Sequence, residues 1–176
     1  MKRVNLLMVL LAIINGISFG QTNPLERFDF LIGIWIGTGS GFGNEKSKVE
    51  SEFKYIMNGK YLEVLNESKF EPTESKPKGE HHIDKGMISF DKNRKVFVFR
   101  QFNIEGYINQ YVLNDSLSNN TKLVFETEII ENFNPGGKAK WTIIKTGSKE
   151  IETIFDVSFT GNEFACFGMN TLTKKE

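Results

Sequence analysis

Apolar and polar positions alternate along most of the chain. Between Val49 and Tyr55 the odd positions carry apolar or small residues, and the even positions carry Glu or Lys. A period of two is typical of a strand with one buried and one solvated face. The pattern predicts strands at residues 34–39, 49–55, 61–70, 80–91, 95–102, 107–113, 122–130, 140–146, 150–159 and 164–173.

Short turns rich in Gly, Asn and Pro separate the predicted strands, and Asn58-Gly59 is the strongest hairpin signal among them. No long helical pattern lies between the strands. The chain is therefore predicted to be all-β, an antiparallel up-and-down β-barrel of about ten strands. Residues 21–176 contain no repeat and no domain boundary, so one domain is expected.

A short helical turn is predicted before the first strand. Asn23 is placed as its N-cap, Pro24 takes the first helical position, and Glu26 lies in the first turn, where the helix dipole favours an acid. Gly33 ends the turn, and the strand pattern begins at Ile34.

The first strand carries glycine on the same face as tryptophan. Trp35, Gly37 and Gly39 share that face. Glycines weaken a strand unless backbone or ligand must approach closely or the strand must bend at a barrel corner. Trp35 is predicted to close the floor of the barrel.

The pattern Gly33-x-Trp35-x-Gly37-x-Gly39 after a helical turn resembles the opening of lipocalin-like (calycin) β-barrels, in particular nitrobindin-type haem-binding domains and related uncharacterised bacterial lipocalin-like domains. Met57–Leu62 is similar to the second hairpin of those domains, and Gly86–Asp91 to their fourth strand. The resemblance covers most of residues 21–176 and implies a barrel that binds a ligand in its interior.

The nitrobindin resemblance implies haem as a possible cofactor, held through a histidine near the C-terminus, and an enzyme acting on reactive nitrogen species. This chain has no histidine after His82. Cys166 and Met169 lie in the last predicted strand and have side chains able to ligate haem iron. Their positions have opposite parity, so at most one is expected to face the interior.

The first twenty residues have the layout of a secretory signal peptide. Lys2 and Arg3 precede an apolar run from Leu6 to Ile14, and small residues precede Gln21. The run is shorter than the roughly 20 apolar residues of a membrane span. The processed chain is expected to be periplasmic or secreted, with no membrane span.

Charge and cysteine content narrow the possible partners. Without Lys2 and Arg3, the 22 basic residues fall to 20, against 22 acidic ones. A chain with that balance does not attract nucleic acid. The single cysteine, Cys166, allows no internal disulfide bond.

The predicted interior is aromatic. Faces opposite the charged ones carry Trp35, Phe53, Tyr55, Phe125, Trp141, Ile143, Phe155 and Phe159. Such an interior suits a small apolar or amphipathic ligand. The alternative is that these side chains fill the interior, which would make the chain a structural or interaction barrel. Between Val96 and Phe102 both faces are apolar, so the face assignment there stays open.

Arg100 stands among apolar residues in the middle of a predicted strand. An unpaired buried guanidinium is costly, so Arg100 reaches solvent, pairs with a carboxylate, or binds an anionic head group. Tyr107 and Tyr111 share a face of the next strand and could add hydroxyl groups to such a site. The predicted ligand-binding residues are Trp35, Arg100, Tyr107, Tyr111 and Trp141.

The two histidines are adjacent and must lie on opposite faces of a strand. Glu80, His82 and Asp84 share one face and could hold a divalent cation, but a solvated polar face is favoured. His81 is then expected to point inward with Ile83. No catalytic motif appears, so no catalytic residue is predicted and a binding protein is favoured over an enzyme.

Overall fold

The computed structural model describes residues 23–41 and 46–176. A 3-10 helix spans Pro24–Leu31. Ten strands follow it: β1 Gly33–Ser40, β2 Lys46–Ile56, β3 Tyr61–Phe70, β4 Glu80–Asp91, β5 Val96–Asn103, β6 Ile108–Leu113, β7 Lys122–Glu131, β8 Lys138–Lys145, β9 Glu150–Ser158 and β10 Ala165–Lys174. The signal peptide predicted at residues 1–20 lies outside the described residues.

The strands form a closed antiparallel barrel. Each strand pairs with its neighbours along the chain, and β1 closes the ring by pairing with β10. The predicted fold class is confirmed, and the predicted strand ends differ from the observed ones by at most three residues. No helix in residues 23–41 or 46–176 is long and apolar enough to span a membrane.

The helix covers one end of the barrel, which we name the closed end. Its start follows the prediction: the Asn23 side chain accepts a hydrogen bond from the backbone N–H of Leu25, and Glu26 completes a capping box. The ring of Phe28 enters the barrel and lies 5.0 Å from the ring of Phe97 and 6.2 Å from that of Phe125. The helix therefore plugs this end with apolar side chains.

Trp35 closes the floor, as predicted. Its side chain is 1% exposed, and its Nε1 donates a hydrogen bond to the Leu31 carbonyl oxygen over 2.6 Å. Gly37 on the same face allows β10 to come close, since a Cβ atom there would lie 2.0 Å from the Thr171 carbonyl oxygen. Gly37 thus serves close backbone packing at the β1–β10 closure.

The inner face of the barrel changes character along its axis. Near the closed end it is apolar and fully buried, as at Phe53, Leu62, Ile88, Phe99, Phe125 and Ile143. At the opposite end, which we name the open end, the inner face carries polar side chains, including Ser47, Asn66, Asp84, Gln101, Asn103 and Asn170. The core therefore occupies the closed half, and the open half is free for a site.

Candidate functional site

A cavity of about 480 Å³, which we name the open-end cavity, lies above the core. Five aromatic side chains line it: Phe70, Tyr107, Trp141, Phe155 and Phe167. Hydroxyl and amide groups lie between them, from Ser47, Asn66, Ser68, Asn103, Thr153 and Asn170. The lining therefore combines flat apolar surfaces with many hydrogen-bonding groups.

The charged side chains of the cavity form a chain of contacts on β4 and the loops beside it. Lys76 Nζ lies 2.8 Å from Glu80 Oε2. His82 Nε2 lies 3.6 Å from the same oxygen, while His82 Nδ1 makes a hydrogen-bond contact with Glu105 Oε1. Each of these carboxylates thus has a basic partner.

Asp84 differs from these two glutamates. Within the described residues its carboxylate takes part in no ion pair and accepts no hydrogen bond. Burial is the main cause that raises the pKa of Asp84 from 3.8 to about 7; the charge of Glu105 adds to the rise and His82 opposes it. Asp84 is therefore an unpaired acceptor on the cavity wall whose charge changes near neutral pH.

The face assigned to β4 from the sequence was wrong. Glu80, His82 and Asp84 do share a face, but that face lines the open-end cavity. His81 points outward, where its Nε2 lies 3.0 Å from Glu67 Oε2. These residues lie at the open end, where the inner face of the barrel is also polar. A polar face therefore does not identify the outside of the barrel there.

A buried polar cluster lies between the cavity and the core. Asn109 Nδ2 donates to Tyr111 Oη over 2.9 Å, and the Tyr111 hydroxyl donates to Gln101 Oε1 over 3.2 Å. Burial raises the pKa of the Tyr111 hydroxyl far above its ordinary value. Asn109 Oδ1 is a buried atom without a hydrogen-bond partner among the described residues. Tyr111, a predicted ligand residue, therefore belongs to the floor beneath the cavity.

A second cavity of about 80 Å³, which we name the side cavity, also lies at the open end. Asn109 lines it together with apolar side chains, among them Ile130, Phe133, Ala139, Val157 and Phe159. Tyr107, Phe155 and Phe167 line both cavities. The side cavity is therefore an apolar extension beside the larger one.

Two predicted site residues lie in the open-end cavity itself. Trp141 lines it and packs its ring 5.0 Å from the ring of Phe99 in the core. Tyr107 lines both cavities, and burial, followed by the charges of Glu105 and Asp84, raises its pKa to about 12. Trp35 belongs to the opposite end of the barrel and does not reach this cavity.

Arg100, one of the predicted ligand-binding residues, does not line the open-end cavity. The residue is exposed on the outer face of β5, opposite Met87 and Gln110 in the neighbouring strands. Its Nη1 lies 3.4 Å from Ser89 Oγ. The inward positions of β5 are taken by Phe97, Phe99 and Gln101. The Arg100 side chain therefore reaches solvent, which is the first of the three alternatives given for it above.

The arrangement of candidate ligands does not fit haem. Cys166 and Met169 are both exposed, because a β-bulge between Cys166 and Gly168 shifts the register of β10. Both Phe167 and Gly168 consequently line the cavity. Both ring nitrogens of His82 face carboxylates. Among the described residues, no group of three or more His, Cys, Asp or Glu side chains is placed to hold a metal ion.

The site residues that the sequence interpretation missed include Asp84 as an inward group, Gln101, Glu105 and Asn109. Glu105 lies in the turn between β5 and β6, where strand parity gives no information. Asn109 was within reach of sequence reasoning, because it lies between Tyr107 and Tyr111 on the face that the two tyrosines share.

No family model and no curated protein matches the chain. Among solved structures, Rv2717c from M. tuberculosis matches with a TM-score of 0.64 and 14% sequence identity, over 86% of this chain and 97% of that one. A fluorescence-activating β-barrel designed de novo matches with a TM-score of 0.41 and 8% identity, over 84% of this chain and 95% of that one. The likeness to Rv2717c supports the fold, a closed antiparallel β-barrel, and the resemblance to lipocalin-like and nitrobindin-type domains stays a prediction.

Proposed function

We propose that the chain is a binding protein for a small amphipathic ligand, which occupies the open-end cavity without being chemically changed. The observation that carries this proposal is the cavity itself. Its volume of about 480 Å³ falls within the roughly 300–1,000 Å³ range of small-molecule sites. Its aromatic walls and scattered hydrogen-bonding groups match a ligand with both apolar and polar parts.

The division of the barrel supports ligand binding over a filled structural barrel. The closed half is packed by fully buried side chains such as Phe53 and Phe99. The polar end lies above that core and carries its own cavity. The balance of polar and apolar lining favours an amphipathic ligand over the purely apolar one that the predicted aromatic interior also allowed.

We infer from the pattern of residues 1–20 that binding takes place in the periplasm or after secretion. This inference depends on the sequence alone, because those residues lie outside the described part of the chain. Mass spectrometry of the protein from an extracytoplasmic fraction checks it. A mature N-terminus at Gln21 is expected, and an intact Met1 would contradict it.

The binding proposal is tested with a matched pair of variants. Ser68→Tyr adds a ring to the cavity lining, whereas Lys69→Tyr adds the same ring on the outer face, where the Lys69 side chain is 63% exposed. Native mass spectrometry of purified residues 21–176 identifies a co-purified passenger, and a thermal-shift screen identifies added ligands. We expect Ser68→Tyr to lose the passenger or ligand and Lys69→Tyr to retain it.

Equal binding to the two variants would place the ligand outside the cavity. Failure of every screened compound to bind the wild-type chain, with no passenger present, would favour the filled-barrel alternative. A haemin titration belongs in the same series. A stoichiometric shift of the Soret absorption would contradict the poor fit of the described residues to haem and revive the nitrobindin-type alternative.

A further inference from the structure

Two polar groups of the cavities are hydrogen-bond acceptors that no described residue satisfies. Asn109 is 1% exposed and its Oδ1 has no partner among the described residues. Asp84 lines the open-end cavity with a carboxylate that accepts no hydrogen bond from the described part of the chain. A buried acceptor such as Asn109 Oδ1 is costly without a donor, and native proteins satisfy nearly all such atoms with a protein group or an ordered water. A ligand that brings its own donor can take the place of that water.

The surrounding hydrogen bonds determine the orientation of the Asn109 amide. The Tyr111 hydroxyl gives its single proton to Gln101 Oε1, so Tyr111 Oη can only accept from Asn109. In this arrangement Asn109 presents its Nδ2 to that oxygen. This leaves Oδ1 on the other side of the amide. Among the described residues that line the side cavity, Asn109 and Tyr107 carry polar side-chain groups and the others are apolar.

The size of the side cavity limits what reaches Asn109. A cavity of about 150 Å³ holds benzene, and the side cavity, at about 80 Å³, has room for one end of a ring. Tyr107, Phe155 and Phe167 line both cavities. The rest of a flat ligand would lie against these aromatic side chains on its way into the open-end cavity.

The charges of the open-end cavity favour a cation. Lys76 is paired with Glu80, and His82 contacts Glu105. Among the described residues of the lining, Asp84 remains as a carboxylate without an ion-pair partner. An anionic ligand would meet three carboxylates, and Arg100 lies outside the cavity. A protonated amine would pair with Asp84 and also gain from the nearby aromatic faces.

The two acceptors lie on strands separated by one strand. Asp84 on β4 pairs with Asn103 on β5, and Gln101, two residues before Asn103, pairs with Asn109 on β6. Neighbouring strands are about 4.8 Å apart, so one small molecule can reach from one acceptor to the other.

We propose that the ligand is an arylalkylamine with a second donor on its ring: its ammonium group binds Asp84, and its ring hydroxyl or N–H donates to Asn109 Oδ1. This inference rests on the proposed function and specifies the ligand class for the same cavity.

The first test changes the ligand and leaves the protein intact. Tyramine carries both donors, phenethylamine lacks the ring hydroxyl, and tyrosol has a hydroxyl in place of the amine. Isothermal titration calorimetry at pH 8 should give tyramine an affinity about tenfold higher than that of either analogue, the effect of one well-placed hydrogen bond or ion pair. Equal affinities of tyramine and phenethylamine would mean that the ring hydroxyl does not bind Asn109 Oδ1, and would overturn the proposal.

The second test changes the protein. Asn109→Leu should remove the advantage of tyramine over phenethylamine and keep its advantage over tyrosol. Asp84→Asn should do the reverse. This pattern is a double-mutant cycle between ligand and protein, and an advantage that persists in the corresponding variant contradicts the assignment of that residue.

Failure of this inference can be told apart from failure of the proposed function. If no probe binds but Ser68→Tyr abolishes binding of some other ligand or passenger, the arylalkylamine inference is wrong and the binding function stands. If Ser68→Tyr changes the binding of no compound at all, both are wrong.

Discussion

The closed and open ends of this barrel are built from the same strands but differ in what fills them. At the closed end, Phe28, Trp35 and Phe53 are at most 1% exposed and pack beneath a capped helix. At the open end, the same inner parity carries His82, Asp84 and Asn103 around a cavity. Alternation builds the wall in both halves. Large apolar side chains fill the closed half and form the core. Polar side chains line the cavity of the open half and form the candidate site.

The largest effect is expected from a substitution that disrupts the packing of the closed end. Trp35→Ala should lower the free energy of unfolding by about 3–5 kcal/mol, because it leaves a cavity in the core that surrounding side chains cannot fill. Urea denaturation of the purified chain measures this loss. The neighbouring Ile36 is 42% exposed on the outer face, and Ile36→Ala is the matched control, expected to cost far less.

A loss below about 1 kcal/mol at Trp35 would contradict its place in the core. Equal losses at Trp35 and Ile36 would mean that the closed end is not the packed half of the barrel.

A smaller effect of the opposite sign is expected at the open end. The pKa of Asp84 is raised from 3.8 to about 7 in the folded chain. Between these values the folded state holds a proton that the unfolded state has lost, so stability falls as pH rises from about 4 to 7 and levels off above. Asp84→Asn removes this loss, and should raise the free energy of unfolding at pH 8 by roughly 1–3 kcal/mol.

The groups around Asp84 define the control for this measurement. His82 lies on the same strand, and Glu105 and Tyr107 approach from the β5–β6 turn and the residue before β6. The side chains opposite on β3 and β5 are the neutral amides Asn66 and Asn103. Asp84→Glu keeps an ionisable group and should keep the pH dependence. Unfolding curves at pH 4 and pH 8 test both variants, and a gain for Asp84→Asn that is equal at both values would exclude ionisation as its cause.

The closed end was predictable from the sequence because its signals are local. A capping residue at Asn23, proline at the first helical position and period-two alternation each depend on a few neighbouring residues. The prediction that Trp35 closes the floor followed from its parity and from the glycines beside it. These features need no knowledge of the rest of the barrel.

The open end was less predictable because its geometry depends on distant elements. Whether Glu80, His82 and Asp84 face inward is decided by which end of the barrel they occupy, and the alternation of β4 looks the same in either case. The β-bulge after Cys166 changes which residues of β10 point inward, and no residue type at that position indicates a bulge. Asn109 becomes notable only when Gln101 and Tyr111 are seen to use its amide nitrogen and leave its oxygen unpaired.

The smallest expected effect tests the two faces of one strand. Arg100 is exposed on β5, whereas the next residue, Gln101, is 7% exposed and accepts hydrogen bonds from Tyr111 and Asn109. Arg100→Met should change the free energy of unfolding by less than about 0.5 kcal/mol, as surface substitutions do, and leave tyramine affinity unchanged. Gln101→Met should cost about 1–3 kcal/mol, because it leaves buried donors without an acceptor. If Arg100→Met instead weakened tyramine binding, or cost as much stability as Gln101→Met, the guanidinium would have to reach the interior, and the division of β5 into an inner and an outer face would be wrong.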